Sequence, residues 1–122
     1  MDISPAFTYR DPRAAMDFLE DAFGFEPGMR VEDGDEIVHA ELFFGDSCVM
    51  LGGERHDGLG QPPGSGWAYV VVDDADAHHA RAVKAGAEIV MPLTDTNYGS
   101  RDYAARDPEG NAWNFGTYRP SR

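Results

Sequence analysis

The sequence predicts an α+β protein built from two tandem βαβββ modules. Three observations lead there: alternating strand patterns flanking two short amphipathic helices, aspartate and glycine punctuation at both helices, and recurrence of that punctuation at a fixed offset. Asp11 and Asp73, Gly24 and Gly86, and Gly45 and Asp107 are each 62 residues apart. Structural anchors repeating at one offset are the mark of a duplicated unit. The phase is imperfect, because the first strand has one more residue before its capping aspartate than the second.

Ile3 to Arg10 alternates, with Ile3, Pro5, Phe7 and Tyr9 on one face and Ser4, Ala6, Thr8 and Arg10 on the other. This is a half-buried strand with Pro5 near its start or on an edge. Asp11 is a helix N-cap and Pro12 suits the first helical position. Ala15, Phe18, Leu19, Ala22 and Phe23 make an i, i+3, i+4 stripe, and Gly24 can end the helix in the left-handed region. Phe25 to Val31 reads as a strand, Glu32 to Glu36 as an acidic turn, and Ile37 to Phe44 as a strand. In that strand Val38, Ala40, Leu42 and Phe44 share one face, and His39 and Glu41 the other. Gly45-Asp46 turns the chain back into Ser47 to Leu51.

Gly52 to Gly66 is rich in glycine, proline and charge, as a linker is. The division is module 1 over about 1–52, a linker over about 53–65 and module 2 over about 66–118, within one domain. The second module runs through a strand at Gly66 to Val72 and a helix capped by Asp73 or Asp74 and ended by Gly86. A strand at Ala87 to Met91, a loop from Pro92 to Arg101 and a hairpin of Asp102 to Arg106 and Asn111 to Tyr118 complete it. Asp107-Pro108-Glu109-Gly110 is the turn of that hairpin, with proline and glycine where a type I turn wants them. After it, Trp113 and Phe115 point one way and Ala112, Asn114 and Gly116 the other.

At 122 residues, 42% hydrophobic, the chain can bury one core. No run approaches the ~20 apolar residues of a membrane helix, and the N-terminus lacks the charged and apolar regions of a signal peptide. One cysteine, Cys48, leaves no intrachain disulfide and fits the cytoplasm. Net charge is −12, with 14 acids against 4 Lys or Arg in residues 1–61 and 8 against 6 in residues 62–122. Such a surface repels phosphate backbones and argues against nucleic acid. It attracts cationic molecules, or it serves solubility alone.

Each module should have one sheet face under its helix and one bare. By alternation the covered face carries Phe7, Tyr9, Val38, Leu42, Val49, Leu51, Val70, Val72, Trp113 and Phe115. The bare face carries Ser4, Ala6, Thr8, His39, Glu41, Cys48, Met50, Trp67, Tyr69 and Asn114. Two such sheets side by side can curl into a cup for a small molecule.

Tyr9-Arg10-Asp11, Ala22-Phe23-Gly24-Phe25, His39-Ala40-Glu41-Leu42, Val70-Val71-Val72-Asp73, Ala85-Gly86-Ala87 and Arg106-Asp107-Pro108-Glu109-Gly110-Asn111 together resemble the vicinal oxygen chelate superfamily. This group contains glyoxalases, bleomycin-resistance proteins, fosfomycin-resistance enzymes and extradiol dioxygenases. The resemblance implies the glyoxalase/bleomycin resistance/dihydroxybiphenyl dioxygenase fold, a homodimer, and cups between modules of one chain or of two. Its metal-dependent members carry His, Gln or Glu at four cup-facing positions, which fall here on Ser4, Met50, Trp67 and Asn114. Those four do not suit a divalent ion, which wants imidazole and carboxylate, so no metal or other cofactor is expected.

The remaining candidates are few. His39 and Glu41, two apart on one strand, could serve as acid and base or join Asp102 in an unusual metal site; they could equally line a wet rim. Trp67 and Tyr69 either stack on a planar or cationic ligand or pack in a seam between modules or subunits. The loop bearing Tyr98 and Arg101 is either a flap or a connection. Cys48 reads as a small buried hydrophobe, His78-His79 as no ligand pair, and His56 as part of the linker. The expected ligand-binding set is therefore Ser4, His39, Glu41, Met50, Trp67, Tyr69, Tyr98, Arg101, Asp102 and Asn114. The leading expectation is a metal-free binding protein of bleomycin-resistance type, holding an aromatic or cationic molecule as in antibiotic sequestration. The alternatives are an enzyme of the same fold, either a metal-dependent lyase or dioxygenase with a displaced site or a metal-free isomerase using His39 and Glu41, and a purely interacting protein.

Overall fold

The computed structural model describes residues 2–54 and 58–122, so His56 and the middle of the linker lie outside the described residues. Module 1 comprises β1 (Ala6–Thr8), α1 (Pro12–Phe23), β2 (Glu26–Asp33), β3 (Glu36–Phe44) and β4 (Ser47–Gly52). Module 2 comprises β5 (Trp67–Val71), α2 (Ala75–Lys84), β6 (Glu88–Asp95), β7 (Arg101–Arg106) and β8 (Ala112–Gly116). The sheets have the same order, β1-β4-β3-β2 and β5-β8-β7-β6, with the first pair of each parallel and the rest antiparallel. The repeat in the sequence is thus a repeat in topology.

Both helices begin as their caps dictate. Asp11 accepts from the Ala14 amide at 3.1 Å and Asp74 from the Ala77 amide at 3.0 Å, so Asp74 caps α2 while Asp73 stays outside. Gly24 (φ 79°) and Gly86 (φ 88°) both take the left-handed conformation that closes a helix. Ala15, Met16, Leu19, Ala22 and Phe23 form the buried face of α1.

Two expectations are corrected. Val38 is 45% exposed, not under the helix. The pairing of Val31 with His39 and Glu32 with Ile37 leaves Val38 as an extra residue, a β-bulge that turns it outward and buries Ile37 instead. The second concerns the region read as a loop from Pro92 onward, through which β6 continues to Asp95. It runs along the sheet edge with register shifts at Ile89/Met91 and Met91/Thr94, and an edge strand at a bulge tolerates the missing N–H of Pro92. The strand at Ile3 is also shorter than its alternation implies, and Ile3 is 94% exposed.

The core is shared by both modules. Phe7 stacks on Trp113 at 4.6 Å between ring centres, Phe23 meets Phe115 at 4.8 Å, and Phe25 meets Trp113 edge-on at 5.3 Å. Phe7 can lie there because position 66 is glycine: a Cβ would collide with the Phe7 ring.

A polar seam accompanies these rings. The buried Asp107 accepts from the Tyr9 hydroxyl (2.6 Å), Trp113 Nε1 (3.1 Å), Asn111 Nδ2 (3.3 Å) and the amides of Glu109 (3.0 Å) and Asn111 (3.1 Å). Burial, and then the Asp107 charge, push the Tyr9 phenol far up, so it remains a donor. The Glu109 carboxylate reaches back to the amides of Arg10 (2.6 Å) and Asp11 (2.9 Å), just before α1. At the other end of α1, Arg81 from α2 donates to the carbonyls of Glu20 and Asp21, both at 2.9 Å. His78 Nε2 donates to the Phe23 carbonyl at 2.8 Å, and its Nδ1 accepts from the Tyr103 hydroxyl.

Asp107→Ala should lower the unfolding free energy in urea by about 3–5 kcal/mol, because it strands several buried donors at once. Tyr9→Phe should cost only about 1 kcal/mol; a loss under about 1 kcal/mol for Asp107→Ala would refute the seam's importance. His78 gives a second expectation. Burial first, and then the Arg81 charge, lower its pKa against the opposing bond to the Phe23 carbonyl. Its stabilising contribution is complete above the ordinary imidazole value of 6.5 and is lost as pH falls below it. Denaturant titrations from pH 7.5 to 5.5 should show that loss, and His78→Gln should flatten it.

Candidate functional site

The structure sorts the candidate residues onto two separate sheets. On the bare face of the first, Glu41 lies opposite Met50, itself opposite Ala6, and His39 lies opposite Gly52. His39 Nε2 stands 3.4 Å from Glu41 Oε2, a long contact between part-exposed side chains. Ser4 precedes β1, near Cys48. Burial, with Glu41 adding to it, pushes the Cys48 thiol up, which suits a packed thiol and not a nucleophile.

The bare face of the second sheet holds Trp67, Tyr69, Asn114 and Asp102, with Tyr98 in the connection between β6 and β7. Successive rows across β5, β8 and β7 are Trp67, Ala112 and Arg106; Tyr69, Asn114 and Ala104; and Val71, Gly116 and Asp102. Trp67 is 66% exposed, in contrast to the fully buried Trp113. Asp102 is 2% exposed. It accepts from the Ser100 hydroxyl and, at 3.3 Å, from the Tyr98 hydroxyl. Ser100 Oγ in turn accepts from the Tyr118 amide at 2.9 Å, and the Tyr69 hydroxyl donates to the Tyr118 carbonyl at 2.7 Å. Tyr98 and Tyr118 meet edge-to-face at 5.6 Å. Burial, with Asp102 adding to it, holds the Tyr69 phenol up and protonated. One buried side-chain polar atom among the described residues has no partner: Asn114 Oδ1.

Gly116 makes this arrangement possible. A Cβ there would overlap Asp102 Oδ1 and lie 2.6 Å from the Tyr69 hydroxyl. Arg101 points elsewhere; its guanidinium is held by Asp76 and Asp95, each at 3.0 Å. Alternation could place Asp102 among the candidates, but Ser100, Gly116 and Tyr118 went unnoticed as its companions. A glycine inside a strand was the one available signal, since it often marks close approach.

A different concavity, of about 840 Å³, lies between the modules. Pro5, Cys48 and Val49 line one side, β5 and His78 the other, with Asp46, Asp73 and Asp74 near its mouth. Ser4 and Met50 belong to the first module and Trp67 and Asn114 to the second, so the four expected positions are divided between the sheets. Among the described residues no three His, Cys, Asp or Glu cluster as a metal site would require.

Paired βαβββ modules with two bare sheet faces define a class of small α+β domains. The chain belongs to the glyoxalase/bleomycin resistance protein/dioxygenase superfamily, whose model matches residues 4–115. An uncharacterized protein of Mycobacterium bovis is 33% identical over 125 residues, covering 93% of this chain and 81% of that protein. TioX from Micromonospora sp. ML1 superposes with a TM-score of 0.85 at 34% identity, covering 98% of this chain and 99% of TioX. The bleomycin-binding protein of bleomycin-producing Streptomyces verticillus, solved with copper(II)-bleomycin, gives 0.71 at 26% identity, covering 98% and 97%. Among the described residues no helix is long and apolar enough to cross a membrane.

Gly116→Ala should displace Asp102 and Tyr69 and lower stability by about 1–3 kcal/mol. Urea unfolding checks this, and an unchanged midpoint would show that the close approach is dispensable.

Proposed function

We propose that this protein binds a small aromatic or cationic molecule without transforming it, in the manner of a bleomycin-resistance protein acting by sequestration. The observation that carries the reading is the bare face of the second sheet, where an exposed Trp67 stands beside Tyr69, Asn114 and the Asp102 cluster. A large indole left in water offers a stacking platform, and the nearby acceptors offer orientation. The likeness to the bleomycin-binding protein and the poor donor set at the family's metal positions support it. In this reading the molecule is a cytoplasmic homodimer, with Ser4, His39, Glu41 and Met50 of the first sheet closing a cup at the module or subunit interface. Arg101 serves by anchoring the strand after the Tyr98 turn.

The 3.4 Å contact of His39 with Glu41 favours a second reading, in which these two act as acid and base in a metal-free isomerase. Calorimetry and Trp fluorescence against bleomycin and a panel of aromatic antibiotics separate the two. Binding should quench Trp67, and Trp67→Ala should weaken it by about tenfold or more. Absence of binding below millimolar across the panel would remove the support for sequestration. Stoichiometric bound metal in protein purified without chelator, with a chelator-sensitive activity, would overturn both readings.

A further inference from the structure

The Asp102 cluster has more chemistry than a stacking surface needs. A carboxylate buried to 2% is normally met by a cation, because transfer of its charge out of water is costly. Here, among the described residues, no Lys or Arg pairs with it, and its donors are the neutral hydroxyls of Ser100 and Tyr98. The two oxygens are served unequally. Oδ1 has the Ser100 hydroxyl, whose position is fixed by the Tyr118 amide. Oδ2 has only the Tyr98 hydroxyl at 3.3 Å, near the limit for such a bond. Tyr98 is 59% exposed and sits in the short connection between β6 and β7. It covers the carboxylate as a weakly held lid.

Beside that carboxylate stand the hydroxyls of Tyr69 and Tyr98, with the Tyr118 ring edge-to-face on Tyr98, and one row away on β8 the unpartnered Asn114 Oδ1. A carboxylate flanked by hydroxyl oxygens is a setting that favours an alkylammonium group: the carboxylate supplies the counter-charge and the oxygens accept its N–H groups. An unfilled amide oxygen adds a further acceptor for its N–H groups. A neutral ligand would leave the buried charge as it is.

We propose that Asp102, with Tyr69, Tyr98, Tyr118 and Asn114, forms a subsite that selects ligands bearing an ammonium group, which displaces the Tyr98 hydroxyl from the carboxylate. This rests on the reading of the second sheet's bare face as a ligand surface, and it fixes the ligand's charge class.

The test uses two probes that differ only at the terminal group, tryptamine and the neutral indole-3-ethanol, titrated into the full chain by calorimetry with amide shifts followed by NMR. Tryptamine should bind at least about tenfold more tightly, with shifts centred on residues 98–104 and 114–118. Asp102→Asn should abolish the preference, bringing tryptamine down to the affinity of indole-3-ethanol for the same variant. Should that variant fail to fold, Asn114→Leu carries the test, with a loss severalfold larger for tryptamine than for the alcohol. Tyr98→Phe should bind tryptamine at least as well as the parent. Equal binding of the two probes would overturn the ammonium subsite alone and leave the ligand surface standing. Binding of neither would overturn both, as would shifts confined to the inter-module groove.

Discussion

Helix α1 is completed at both ends by the other module. Every helix leaves amides unsatisfied at its start and carbonyls at its finish, and a protein must supply partners for them. Here Glu109 takes the amides just before α1, while Arg81 and His78 take the carbonyls of Glu20, Asp21 and Phe23 at its end. Separation of the modules would strip the helix of these partners and open the Phe7–Trp113 and Phe23–Phe115 contacts together. Polar satisfaction and apolar burial therefore depend on the same junction, and neither module is a complete unit without the other.

The Asp-Pro-Glu-Gly turn owes its composition to that junction. Asp107 would be an ordinary turn residue if it bonded only the amides that follow it. Its second oxygen gathers the Tyr9 hydroxyl and the Trp113 indole, which are 98 and 6 residues away in the chain. A residue type chosen for local turn geometry is thereby committed to long-range structure, and the most recognisable stretch of the sequence is a structural one. The face proposed to meet a ligand belongs to the strand that leaves the turn, on its opposite side.

How much was legible in the sequence follows from the range of the forces involved. Local signals worked: Asp11-Pro12 started α1, Gly24 and Gly86 ended the helices, and alternation placed Phe7, Tyr9, Trp113 and Phe115 in the core. Register failed where it depended on a partner strand. Val38 was misplaced because a bulge on β3 resets the alternation, and nothing in Ile37-Val38-His39 announces it. Asp102 was named as a candidate, but its burial beside Gly116 and Tyr69 requires three strands in a particular register. The sequence shows of His78 only that it forms no ligand pair with His79, since its partners Phe23 and Tyr103 are 55 and 25 residues distant.

Duplication invites a look at the counterpart of each junction. The turn at Gly45-Asp46 is the repeat of the turn at Asp107, and the start of α2 is the repeat of the start of α1. Between the turn at Gly45-Asp46 and the start of α2 there is, among the described residues, no equivalent of the Asp107 network but the groove of about 840 Å³, with Asp46, Asp73 and Asp74 in its lining. The two halves thus meet like the covers of a book, filled along a spine at Tyr9 and Asp107 and parted by a groove along the opposite edge, where His78 and Arg81 still bond the end of α1. The pseudo-symmetry of the sequence has become an asymmetry of packing in the fold.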